Sequence, residues 1–187
     1  MVDFEIQGSK ASLARGWLTM VRIPFHTVGI MPFVLGTVLA WKLTGAFNLP
    51  VFALSVFAVI LIMLTTYAAG EFYDLEGDRL TAKMEKNFFS GGSQAVVEGL
   101  IPPGYAKVTS YISAVAAVIV GLILQFHYHT GPWTIPLGAI GLFSGFFYST
   151  EPVRLVKRGV GELFIGFCYG WLPVATAFYL QTFRFSP

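Results

Sequence analysis

An all-α, polytopic bundle of transmembrane helices is the fold class this sequence predicts, and three observations predict it. Hydrophobic residues make up 55% of the 187 residues and charged residues only 12%. With a mean hydropathy of +0.68, that is more apolar surface than a water-soluble domain can cover. Apolar runs of the length that crosses a bilayer, about 18 residues or more, recur at 23–45, 49–70, 105–126, 133–149 and 160–183, the fourth being the shortest. The cations also alternate in sidedness. Lys10, Arg15 and Arg22 precede the first run, Arg79, Lys83, Lys86 and Lys107 lie between the second and third, and Arg154, Lys157 and Arg158 lie between the fourth and fifth. Only Lys42 and Arg184 fall on the other side, so ten of the twelve Lys and Arg share one face of the membrane. The positive-inside rule then puts the N-terminus and the 71–102 loop in the cytoplasm and the C-terminus outside.

In chain order, residues 1–22 carry Leu13, Trp17 and Met20 at helical spacing, with Lys10, Arg15 and Arg22 elsewhere on the wheel. This predicts an amphipathic interfacial helix ahead of a membrane domain over 23–187. The first span holds Pro24, Gly29, Pro32 and Gly36, which membrane helices tolerate where neighbours approach closely. His26 near its start reads either as a pocket residue or as a helix-start histidine at headgroup level. Trp41 and Lys42 suit the outer interface, and Asn48–Leu49–Pro50 is a turn into the second span. The third span runs into His127, Tyr128 and His129, an interfacial aromatic belt rather than a metal pair. Cys168 is the single cysteine and falls in the fifth span, which excludes an intramolecular disulfide or a cysteine metal cluster. No cleavable signal peptide is expected, because the first apolar run is longer than a signal core and lies behind a mixed-charge segment.

The chemistry-bearing stretch follows the second span. Glu71, Asp74 and Asp78 stand three and four apart, a spacing that puts all three on one face of a helix. Stacked like charges are tolerable in water and favourable around a divalent cation; Mg2+ takes oxygen ligands and shares them with substrate phosphates. A solvated helix end and a metal–diphosphate site both fit the residues. The long polar loop adds Lys83 and Lys86, cations for phosphate oxygens, and Ser90–Gly91–Gly92–Ser93, whose free backbone N–H groups suit an anion. Tyr148 and the cations Arg154 and Lys157 form the other loop on the same side. They read as a topology anchor or as a wall facing a polyanion.

Taken together these segments resemble the UbiA-type intramembrane prenyltransferases, closest to the branch acting on 1,4-dihydroxy-2-naphthoate. Arg22–Ile23–Pro24 with Pro32 to Thr37 resembles the family's first helix. Gly70–Glu71, Asp74 and Asp78 resemble its acidic motif N-D-x-x-D-x-x-x-D, with Gly for Asn and Glu for the first Asp. Ser90–Gly91–Gly92–Ser93 with Glu98–Gly99–Leu100 resembles the following loop, and Tyr148 to Glu162 the segment before the fifth helix, with Arg154 or Lys157 in the place of the family's Lys. The resemblance implies transfer of a prenyl group from a polyprenyl diphosphate to an aromatic, quinone-precursor acceptor. It implies Mg2+ on Glu71, Asp74 and Asp78, with Arg22, Lys83, Lys86, Ser90, Tyr148, Arg154 and Lys157 around the substrate, and no nucleic acid among the partners. The family's nine helices and second acidic motif have no counterpart beyond Glu162. This stretch alone is therefore expected not to turn over, the motif coming from a longer chain or from a second chain. A non-catalytic membrane protein that binds isoprenoid lipid or partner helices is the alternative.

Overall fold

Helix ends in this protein are written in capping residues. The computed structural model describes residues 10–81 and 92–185, and among these every regular element is a helix. Helix α1 (Lys10–Val21) leads through a short 3-10 turn at Ile23–Phe25 into α2 (His26–Thr44). Gly45, with φ 74°, closes α2 by donating its N–H to the Trp41 carbonyl, the left-handed stop that glycine supplies without strain. Asn48 opens α3 (Leu49–Tyr73): its side chain accepts the Val51 N–H at 3.1 Å, and Pro50 fills the first turn, where no donor is needed. The short α4 (Leu75–Thr81) follows after a bend at Asp74. Helix α5 (Pro103–Leu122) runs on through a wider π turn to His127. Then come α6 (Thr134–Ser149), α7 (Gly161–Gly166), a π stretch at Phe167–Trp171, and α8 (Leu172–Thr182).

Four continuous helical stretches are long and apolar enough to cross a membrane, and their exposed residues are themselves greasy: Met31 and Ile112 are 65% exposed and Phe126 63%. A helix that is apolar all round belongs in lipid, and the chain is an integral, multi-pass membrane protein. The predicted spans are found with their ends shifted by a few residues. The third, for instance, begins at Pro103, and the fourth, α6, has 16 residues, about 24 Å of rise, short of a typical hydrocarbon core. The interfacial helix expected over 1–22 is helical from Lys10; residues 1–9 lie outside the described part.

In lipid the helices gain little from burying grease against grease, so close approach and hydrogen bonds hold them. Helices α2, α3, α6 and α8 close a ring, each in contact with the next. Gly36 lets α2 lie against the Val174 carbonyl and Ala177 of α8, where any side chain would collide. Thr65 of α3 and Ser113 of α5 are hydrogen-bonded at 2.9 Å, which fixes α5 outside the ring. At the end opposite the acidic bend the Asn48 N–H donates to the Gln181 side chain at 2.6 Å. A second apolar cluster caps the acidic end: Met20, Ala95, Val96 and Ile101 are fully buried there, with Trp17 of α1 packed on them.

Candidate active site

Inside the ring is a cavity of about 970 Å³. Its interior is lined by Phe33, Met63, Leu137, Gly141 and Leu172, and its mouth by Arg22, Glu71, Asp74, Asp78, Tyr148, Arg154 and Lys157. Every candidate residue within the described part therefore borders one chamber, although these residues come from four separate segments. Lys83, Lys86 and Ser90 lie outside the described residues.

The carboxylates do not share one open face, contrary to what their spacing suggests. The chain bends at Asp74, whose φ of −100° and ψ of 14° end α3, and each acid finds a different partner. Glu71 is 3% exposed. One of its oxygens accepts from Ser93 Oγ at 2.6 Å and from the Gln94 N–H at 3.0 Å, and the other accepts the Val96 N–H at 3.1 Å. Its donors are thus the Ser93 hydroxyl and two backbone N–H groups just past the Ser90–Ser93 stretch, of which Ser90 and Gly91 lie outside the described residues. Asp74 takes an ion pair from Arg154, whose Nη2 reaches Oδ1 at 3.1 Å and also donates to the Tyr73 carbonyl. Asp78 lies against Gly92. Burial first, and then the charges of Glu71 and Asp74, push the Asp78 carboxyl up to about 6; the Gly92 backbone N–H and Arg22 pull the other way. Among the described residues no three acidic, histidine or cysteine side chains are grouped to hold a metal ion.

Both arginines of the mouth sit in the left-handed region, Arg22 at φ 50° and Arg154 at φ 45°, each just before a 3-10 turn. Such a backbone costs a non-glycine residue on the order of 1–2 kcal/mol and persists only where the surroundings impose it. Arg22 is placed over the Phe25 ring at 4.0 Å and near Tyr67 at 5.6 Å. Lys157 follows Arg154 by one turn and completes the cationic wall.

Tyr67 and Tyr169 were not singled out from sequence. Both line the cavity. Tyr67 precedes Glu71 by four residues, so the helical spacing that groups the acids also points to it. Tyr169 lies in the π stretch, where an extra residue per turn shifts the facing in a way no regular period reveals. Cys168 also reaches the cavity wall. His26 does not: it is buried, edge-on to the Tyr67 ring at 5.5 Å.

A family model described as the UbiA prenyltransferase family matches residues 29–186. The chain is 25% identical over 171 residues to a 2-carboxy-1,4-naphthoquinone phytyltransferase of Synechocystis sp., a match covering 91% of this chain and 52% of that protein. It is 27% identical over 156 residues to a 1,4-dihydroxy-2-naphthoate octaprenyltransferase of Bacillus subtilis, covering 83% of this chain and 48% of the other. A chloroplastic 2-carboxy-1,4-naphthoquinone phytyltransferase of Arabidopsis thaliana is 26% identical over 161 residues, 86% of this chain and 39% of that one. The chain thus spans about half the length of the first two of these relatives. No solved structure matches it significantly.

Proposed function

Because this chain belongs to the UbiA prenyltransferase family, we propose that the whole protein is a membrane prenyltransferase of quinone biosynthesis. It moves a polyprenyl group from an allylic diphosphate to an aromatic acceptor of the naphthoate class, the class named for its relatives. The observation that carries the reading is the single chamber with two natures: a mouth bearing Asp74, Asp78, Arg22, Arg154 and Lys157, and an apolar interior continuous with it. An amphiphile with a charged head and a hydrocarbon tail fits such a chamber end to end.

In the reaction the allylic C–O bond breaks and its electron pair leaves with the diphosphate. A ring carbon of the acceptor forms the new C–C bond and then releases its substituent, a proton in the simplest case. The cationic wall of Arg22, Arg154 and Lys157 stabilises the charge that grows on the departing oxygens. Tyr67 and Tyr169 offer aromatic surface on the cavity wall to the electron-poor carbon, and the apolar walls exclude water from it.

The residues fit Mg2+, through two carboxylates rather than three. Glu71 is fully engaged by protein donors, whereas Asp78 is held where its negative charge is costly, beside two other acids, a setting that a cation relieves. Asp74 and Asp78 would hold Mg2+ together with diphosphate oxygens, an ordinary ligand set for this ion. Bound there, it would neutralise charge on the leaving group.

The test is Asp74→Asn in the full-length protein in proteoliposomes, supplied with a prenyl diphosphate and 1,4-dihydroxy-2-naphthoate. Mg2+-dependent transfer is expected to fall about 100-fold or more. Wild-type rates in this variant would remove the mouth from the chemistry.

A further inference from the structure

We infer that Glu71 is a positioning residue, one that straps the turn at 92–96 against the cavity mouth, and is not a ligand of the metal. Its carboxylate is nearly inaccessible, and its donors come from almost consecutive residues: Ser93 Oγ, the Gln94 N–H and the Val96 N–H. A buried carboxylate must be paired, and charge-assisted bonds at these lengths are strong. A cation binding Glu71 would displace those donors and leave buried N–H groups unmatched, which costs more than the bonds alone.

The turn has two further attachments that make the strap useful. Behind it, Ala95 and Val96 are fully buried against Met20 and Ile101. In front, Gly92 and Ser93 line the cavity, and Gly92 lies directly against the Asp78 carboxylate. A Cβ at Gly92 would stand 2.7 Å from Asp78 Oδ2, so the turn touches the acid without a gap. Glu71 therefore acts on the mouth through the turn, setting the wall where the diphosphate is to bind. The kinetic part of this assignment rests on the prenyltransferase reading; the structural part does not.

The experiment compares Glu71→Gln and the milder Ser93→Ala with wild type, in the full-length protein in nanodiscs. The first readout is amide hydrogen exchange without metal or substrate. In Glu71→Gln the Gln94 and Val96 amides are expected to exchange about 10–100-fold faster, the loss of one charge-assisted hydrogen bond, while the α3 amides are unchanged. In Ser93→Ala, which keeps the carboxylate and serves if the first variant does not fold, the same amides speed up about three-fold or more. The second readout is kinetic. KM for the prenyl diphosphate rises about tenfold in Glu71→Gln, with a smaller change in kcat and with the half-saturating Mg2+ concentration unmoved. A merely structural defect would lower the amount of active protein and leave KM alone. Unchanged exchange at Gln94 and Val96 in the variants that fold, a KM unchanged in Glu71→Gln, or a tenfold rise in half-saturating Mg2+, overturns the assignment. A protein that transfers no prenyl group at all fails the proposed function, and the exchange result still decides this one.

Discussion

Asp78 stands where a carboxylate is costly, and that cost is measurable. Burial, and then the charges of Glu71 and Asp74, push its carboxyl up to about 6 in the folded protein. A folded-state value above the unfolded one is a penalty: absent below about pH 4, where both states are protonated, and fully present above about pH 6. Asp78→Asn keeps an oxygen for the Gly92 N–H and removes the charge. In the absence of divalent cations its unfolding midpoint in detergent at pH 7.5 is expected to rise by about 2–4 °C, an effect of order 1 kcal/mol after screening by nearby solvent. The gain should vanish near pH 3.5, and the same variant should lose prenyl transfer, a trade of activity for stability. A midpoint that falls at pH 7.5 would contradict the electrostatics described here. The spacing of Glu71, Asp74 and Asp78 made their importance legible in the sequence. Their separate partners were not legible, because those come from residues 14 to 80 positions away, and no local period encodes which carboxylate turns inward.

At the level of the helix, composition and length place the spans well, since a lipid-facing helix announces itself on every face. The π stretch at Phe167–Trp171 and the bend at Asp74 were hidden for the opposite reason: both are local departures imposed by packing. Helix α6 shows what a helical face can do for specificity. Gly138 borders the cavity ten residues, about 15 Å, from Tyr148 at the mouth, and a Cβ there would meet nothing within 4 Å. Gly138→Leu should therefore enter open space and shorten the chamber rather than strain the fold. Against a series of prenyl diphosphates, kcat/KM for the longest tail is expected to drop tenfold or more, the cost of displacing one or two methylenes' worth of contact, while the shortest tail is used as before. Equal losses for all lengths would place the tail elsewhere.

Across the whole molecule, the ring of α2, α3, α6 and α8 gathers the cationic loops and the acidic bend at one end. The charge bias of the sequence predicts that this end faces the cytoplasm. In a Cys168→Ser background, a cysteine at Lys42 is expected to react with an impermeant maleimide in intact cells, and one at Glu98 only after permeabilisation; the reverse pattern would invert the topology. The same gathering governs how the chamber meets its ligands. Arg154 and Asp74 hold each other at 3.1 Å. On the proposed function, diphosphate and cation arriving together would exchange that couple for two new ones, guanidinium with phosphate and carboxylate with metal. Either one arriving by itself would strand a charge in a half-buried place. The entrance would then behave as a two-key lock, answering to the pair and scarcely to its members.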